Sequence, residues 1–280
     1  MTNTYKGSRF IKDINTMNHL ENLSLSLGDI VLSNFNEEYL FEFRKWINST
    51  TTNTIKGFDA FTHADFCHGT TEAFDKFYTQ NHTRRLRIFK ADYAYHKFSH
   101  NNYEFLEDDV LRSNDAIIIS LPFSDTGDEF QYEDILQIAD RFNLPVLVDC
   151  CWFGTCSNVT FDFSYSCITT ITFSLSKSFP VSRFRIGIRF TKDNFDDGLT
   201  AYTRDNYVNT LSQYIGISFM KAFSPDYIPI KYKDKQASMC KAMRITPSKV
   251  VFLGLGDAKW SSLNRGGEHN RLCLSDFFID

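Results

Sequence analysis

The stretch "DAIIISLPFSDTGDEFQYEDILQIADRFNLPVLVDCCW", residues 115–152, decides the fold. It opens with "DAIIISLP" and closes with "LPVLVDCCW", two apolar runs that offer no polar face. A strand of that kind is stable only when both of its faces are covered. Between them, "YEDILQIADRFN" sets Ile135, Ile138, Ala139 and Phe142 at helical spacing, so the pattern predicts an amphipathic helix with those residues on its apolar side. A helix that joins two fully buried strands is a crossover, and a crossover makes its strands parallel.

The alternation continues outward in both directions. "TEAFDKFYTQ" (71–80) reads as a helix, "RLRIFKAD" (85–92) as a strand and "DDVLRSN" (108–114) as a short helix or turn. "ITTITFSLS" (168–176) and "FRIGIRF" (184–190) read as strands, and 196–224 as helical, best in "YVNTLSQYIGISFMKAF". "NEEYLFEFRKWINS" (36–49) reads as a helix with Leu40, Phe43, Trp46 and Ile47 on its apolar side, and "STTTNTIKGF" (49–58) as a loop. After Pro225, "KVVFLGL" and "RLCLSDFF" read as two strands around a Gly-rich turn. The expectation is an α/β protein, a three-layer α/β/α sandwich with a mostly parallel sheet. Residues 1–50 would form an arm and helix, 51–224 a large domain, and 225–280 a small C-terminal α/β subdomain. Open parallel sheets carry their chemistry in the loops at the carboxyl ends of the strands, so candidate residues belong there.

Composition bounds the function. A net charge of −4 and a pI near 6.0 give no electrostatic reason to expect a nucleic-acid partner. No apolar run approaches the ~20 residues of a membrane helix, and the polar first thirty residues carry no signal-peptide pattern. Seven cysteines without paired zinc spacing suit reduced thiols, so a cytoplasmic protein is expected. His63, His68, His82, His96 and His100 share no ligand spacing, and no metal site is expected. The 28 Phe and 13 Tyr suit a bulky core or a sticky interface.

Each strand-end loop supports more than one reading. "CHGTTEAF" puts Gly69, Thr70 and Thr71 just before a helix, where backbone N–H groups suit a phosphate, or where Thr70 simply caps the helix. Asp149 ends a strand and is either a partnered buried carboxylate or an exposed strand tip. Tyr93 in "ADYAYHKF" could stack on a planar ligand or belong to the core. "SLSK" presents Ser174, Ser176 and Lys177 together; a lysine amine of lowered pKa is the nucleophile that makes Schiff bases, whereas a lone lysine is ordinarily a solvated charge. "NRGGEHNR" (264–271) could touch a substrate or only turn the chain.

Taken in order, these residues resemble the aspartate aminotransferase family, the fold type I pyridoxal-phosphate enzymes. The resemblance runs from about residue 66 to 190 and returns at 271–275. That family's Ser-x-x-Lys, arginine eight residues on, then x-Gly, is matched by Ser174, Lys177, Arg185 and Gly187. Its strand-end aspartate is matched by Asp149, its phosphate turn by "GTTEA", its stacking aromatic by Tyr93, and its Arg-φ-x-φ strand by "RLCL" from Arg271. The resemblance implies pyridoxal 5'-phosphate as cofactor and a Schiff base on Lys177. It implies Asp149 on the pyridine nitrogen, and Gly69, Thr70, Thr71, Ser174 and Arg185 on the phosphate. It also implies Tyr93 on a ring face, Arg271 on the carboxylate of an amino acid substrate, and a homodimer. Ser124 and Trp152 stand where the family has an asparagine and a tyrosine that bond the cofactor's phenolic oxygen, and their hydroxyl and indole N–H can still donate. "PVSRF" (180–184) replaces an expected glycine, and the chain is shorter than is usual for the family.

Three functions are compatible with these residues. The leading one is an aminotransferase. The second is an α-decarboxylase or another Cα lyase of the same fold. The third is a catalytically idle binding or regulatory protein, favoured by the Ser124 and Trp152 replacements and opposed by the retained Arg271.

Overall fold

The computed structural model describes residues 5–278. Its centre is a seven-stranded sheet of β1 (His63–His68), β2 (Arg85–Ile88), β3 (Tyr103–Phe105), β4 (Asp115–Ser120), β5 (Val146–Cys150), β6 (Ile168–Ser174) and β7 (Ile186–Thr191). The spatial order is β1-β7-β6-β5-β4-β2-β3. Only β7 runs antiparallel to its neighbours; the remaining pairings are parallel. Every residue of β4 and β5 is buried, as the two apolar runs require. Their side chains alternate between two apolar clusters: Ala116 and Ile118 pack with Phe74, Phe77 and Tyr78 of the helix Thr70–Gln80, while Ile117 and Ile119 join Leu136 and Tyr39 on the opposite face. That alternation produces the three layers, and the α/β sandwich expected from the pattern is the fold observed.

The second face carries the phenylalanines. Phe153 meets Phe161 and Phe173 with ring centroids 5.1 and 5.4 Å apart, and Phe58 meets Phe190 at 5.0 Å, all edge to face. Each such pair contributes ~0.5–1.5 kcal/mol beyond its buried area. The aromatic excess therefore builds a bulky core.

Four local expectations are corrected. The helix Glu133–Phe142 buries Leu136 and Ala139, not the side centred on Ile138 and Phe142, which are exposed. The helix is rotated because Tyr132 and Leu136, one turn apart, face the sheet; Tyr132 is held there by donating to the Ser120 carbonyl at 2.7 Å. The strand β1 stands where none was expected, since "HADFCH" hides an aspartate inside: Asp65 pairs with Arg189 of β7 at 2.6 Å. A helix, Tyr227–Met243, follows Pro225; its buried face includes polar Gln236, which donates to the carbonyls of Ser248, Val250 and Leu253, and so lacks an apolar stripe. Thr54–Lys56, inside the expected loop, pairs in parallel with Thr160–Asp162.

A second sheet consists of β8 (Thr246–Pro247), β9 (Leu253–Gly256) and β10 (Asn270–Cys273), all antiparallel. A 3-10 turn, Ala258–Leu263, lies in the β9–β10 connection. Leu253 and Leu272 of this sheet belong to the same apolar cluster as Trp152 and Phe153. This packing brings the residues from 262 to 271 over the carboxyl ends of the central strands.

Candidate active site

The carboxyl ends of β4, β5 and β6 are in register: Ser120 sits opposite Asp149, and Asp149 opposite Thr172. Above them opens a cavity of about 540 Å³. Thr70, Thr71, Tyr93, Ser124, Asp149, Trp152, Ser174, Lys177, Arg185 and Arg271 all line it. Side chains spread over two hundred residues of chain thus converge because parallel strands end on one edge.

One end of the cavity is built for an anion. Gly69 is the N-cap of the helix Thr70–Gln80, with φ +74° and no side-chain cap, so the capping reading of Thr70 gives way to Thr70 as the first helical residue. Uncapped N–H groups and the helix dipole favour negative charge at that point. Arg185 reaches the same spot, donating through Nη2 to Thr71 Oγ1 at 3.0 Å. A Cβ on Gly69 would lie 2.8 Å from the Arg185 guanidinium carbon, and one on Gly187 would lie 2.8 Å from Gly69 Cα. Both glycines are needed for this close approach. Arg185 itself holds φ +55°, a left-handed conformation uncommon for a non-glycine residue. Ser174 Oγ completes this end, 2.8 Å from Ser176 Oγ and donating to the Ile186 carbonyl at 3.0 Å.

At the centre, Asp149 is buried and accepts the Cys151 amide at 3.1 Å. Burial, reinforced by the neighbouring Asp92 charge, pushes its carboxyl up to about 7. An acid so placed is incomplete without a positive or N–H-bearing partner. Asp92 lies behind, 3 % exposed, and holds the Tyr93 amide at 2.9 Å and the Ser120 hydroxyl at 3.0 Å through Oδ1. Its Oδ2 has no hydrogen-bond partner among the described residues. Tyr93 stacks on Tyr95, centroids 6.0 Å apart, and lines the cavity. Lys177 donates through Nζ to the Ser8 carbonyl at 2.6 Å, and burial lowers its pKa from the ordinary lysine value.

The far end holds two guanidinium groups. Arg271 donates to the carbonyl oxygens of Ser124 and Gly7, the latter at 3.2 Å, and its guanidinium lies over the Trp152 ring at 5.1 Å. Its Nε has no partner among the described residues. Burial, with Arg265 adding to it, brings its pKa down to about 9. Arg265 donates to the Ser124 carbonyl at 3.0 Å and Ser124 Oγ at 3.2 Å, and to the Asp92 carbonyl at 3.3 Å. The Trp152 indole N–H donates to Ser8 Oγ at 2.9 Å, so that donor is already engaged.

Sequence reasoning missed Arg265, Asp92 and the segment Lys6–Ser8, which all border this site. "NRGGEHNR" was a signal for Arg265, and Asp92 precedes the singled-out Tyr93. Nothing in "KGS" pointed to the cavity.

Comparison with known proteins bears on the family and the fold. The family model of class I and II aminotransferases matches residues 56–229. No curated protein matches the chain. Among solved structures, the chain is similar to the histidinol-phosphate aminotransferase of Clostridium acetobutylicum, with a TM-score of 0.66 at 14% identity over 96% of this chain and 93% of that one. It is similar to a pyridoxal-phosphate-bound C-S lyase of Staphylococcus hominis, with a TM-score of 0.68 at 11% identity over 97% and 83%. It is similar too to the L-threonine-O-3-phosphate decarboxylase of Porphyromonas gingivalis, with a TM-score of 0.64 at 15% identity over 96% and 92%. Pyridoxal 5'-phosphate is the cofactor this family uses, and the residues present fit it: an anion cradle that a Cβ at Gly69 would fill, and a buried carboxyl, Asp149, pushed up to about 7 although the Cys151 amide donates to it. With more than half of its length matched by the family model, the chain belongs to the class I and II aminotransferases, pyridoxal-phosphate-dependent enzymes of amino acids.

Proposed function

We propose that the chain is an aminotransferase that attaches its cofactor at Lys177 and takes an amino acid as substrate. The observation that carries this reading is that Lys177, Asp149, Arg185 and Arg271 line one cavity. Pyridoxal phosphate, when bound, supplies an aldehyde that condenses with amines and a ring that accepts electron density. Thr70, Thr71, Ser174 and Arg185 would hold its phosphate, Tyr93 one ring face, and Asp149 its ring nitrogen. A ring N–H partner would let Asp149 ionise at neutral pH despite its burial. The lowered pKa of Lys177 raises the share of neutral amine, the form that attacks an aldehyde and later accepts the proton from substrate Cα at Nζ. Arg271 would pair with the substrate carboxylate and orient the Cα bonds, because a planar guanidinium binds a carboxylate in a two-pronged fork. A homodimer is part of this reading, and light scattering tests it.

The test mixes the purified chain with pyridoxal phosphate, reduces with borohydride and locates the label by mass. Lys177 should carry it, and Lys177→Ala should lose it completely. Covalent labelling that persists in Lys177→Ala would sink the assignment. Product analysis over a panel of amino acids then separates transfer, which yields a keto acid, from decarboxylation, which releases carbon dioxide. A panel that leaves the bound cofactor's absorbance unchanged would favour an idle binding protein.

A further inference from the structure

The segment Tyr5–Arg9 crosses the mouth of the cavity and touches both groups on which the proposed function rests. The Ser8 carbonyl accepts from Lys177 Nζ at 2.6 Å, and the Gly7 carbonyl accepts from Arg271 Nη2 at 3.2 Å. Ser8 Oγ accepts from the Trp152 indole at 2.9 Å. Two successive backbone oxygens thus occupy the amine meant for an aldehyde and the guanidinium meant for a carboxylate. The segment is tied at each end by surface contacts. The Tyr5 ring stacks on Phe277 and meets Trp260 edge-on, with both centroids at 5.2 Å, and Arg9 pairs with Asp276. The Arg9 side chain is half exposed, so this tie is weak and reversible. Between the ties, Gly7 holds φ +91°, and a Cβ there would meet nothing within 4 Å among the described residues. Glycine is therefore required at this position for its backbone conformation and not for space.

We propose that Tyr5–Arg9 is an autoinhibitory strap, whose carbonyls hold Lys177 and Arg271 in the cofactor-free chain and which cofactor and substrate displace in turn. The proposal rests on the reading of Lys177 and Arg271 given above. The Ser8 carbonyl engages an N–H of Lys177, and that contact must be given up before Nζ can join an aldehyde carbon. Attachment requires Lys177 to give a proton to solvent; its lone pair then bonds the aldehyde carbon, the aldehyde oxygen leaves as water, and the Ser8 contact is given up. A carboxylate, being charged, is a stronger acceptor for Arg271 than the neutral Gly7 carbonyl. Because one segment blocks both groups, ligand bound at either one loosens the strap from the other, and the two binding events are positively coupled.

The test uses the cofactor-free full chain and follows attachment of pyridoxal phosphate to Lys177 over time, by borohydride trapping and peptide mass. Gly7→Ala keeps every side chain of the cavity but disfavours the left-handed turn. It should load about fivefold faster, the factor that the left-handed penalty of an alanine corresponds to. A chain lacking residues 1–9 should load at least as fast as Gly7→Ala. Trypsin, which cuts after Lys6 and Arg9, should act slowly on the cofactor-free chain and several-fold faster on the loaded one. Equal or slower loading in Gly7→Ala, with Lys177 labelled in both chains, overturns the strap and leaves the Lys177 reading standing. Absence of label on Lys177 in both chains overturns that reading and the strap with it. Should the shortened chain fail to fold, the Gly7→Ala rate and the trypsin comparison decide between these outcomes.

Discussion

Arg189 and Arg271 are both almost wholly buried, 1 % and 5 % exposed, and they are held in opposite ways. Arg189, on β7, donates to Asp65 at 2.6 Å and to Asp197 at 2.5 Å, and Nη2 also reaches Thr200 Oγ1. Burial alone would lower its pKa, but the Asp197 and Asp65 carboxylates more than offset this and raise it. Arg271 is held by neutral carbonyl oxygens, keeps an Nε without a partner among the described residues, and has its pKa lowered to about 9. A buried cation matched by carboxylates is architecture, closed upon itself. A buried cation matched only by carbonyls keeps its affinity for an anion, and the proposed function rests on that difference.

The largest effect that could break this contrast lies at Arg189. Arg189→Met leaves Asp65 and Asp197 without their cation and should cost ~3–5 kcal/mol in urea unfolding. A loss under about 1 kcal/mol would show that the triad is not a closed structural unit. Arg271→Leu should behave in reverse. Stability of the cofactor-free chain should change by less than about 1 kcal/mol, since only neutral acceptors lose a partner. KM for an amino acid should rise ~10- to 100-fold, as expected when a charge-assisted pair worth ~1.5–3 kcal/mol is lost. A strongly destabilised Arg271→Leu with unchanged KM would place Arg271 with Arg189.

The smallest effect concerns Asp149. Its folded pKa of about 7 lies above the ordinary carboxylate value, so the protonated acid stabilises the cofactor-free fold. That contribution is fully present below about pH 4 and is lost as pH rises through 7. Asp149→Asn cannot ionise and escapes this loss. The cofactor-free variant should therefore gain on the original chain between pH 5 and 8, by ~1–2 kcal/mol in thermal or urea unfolding. Binding of pyridoxal phosphate to the variant should weaken at the same time. A gain that stays flat from pH 5 to 8 would mean that Asp149 is ionised over that whole range in the cofactor-free chain.

Much of this molecule was legible before folding. The runs "DAIIIS" and "VLVDC" carry no polar side chain facing either layer until their ends, which compels a covered parallel sheet and puts Ser120 and Asp149 on its carboxyl edge. Lys177, Arg185 and Arg271 could be singled out because their order and spacing survive in the chain. The rotation of the helix Glu133–Phe142 could not be read, since Ile135, Leu136, Ile138, Ala139 and Phe142 offer two overlapping apolar sides. The helix Tyr227–Met243 escaped notice because Gln236 faces inward and satisfies three carbonyls that lie 12 to 17 residues away in the chain.

What the sequence by itself determined was the layer architecture and which residues to look for at the strand ends, because both depend on side-chain chemistry and on periods shorter than one element. The state of those residues was decided by tertiary structure alone. Lys177 and Arg271 acquire lowered pKa values from burial, Asp149 a raised one from burial and Asp92, and Arg265 a place beside them through the packing of β10. The Gly7 and Ser8 carbonyls meet Arg271 and Lys177 across 264 and 169 residues of chain. A backbone carbonyl is present at every position and leaves no mark in composition or pattern, so only the folded chain could show which two face the site.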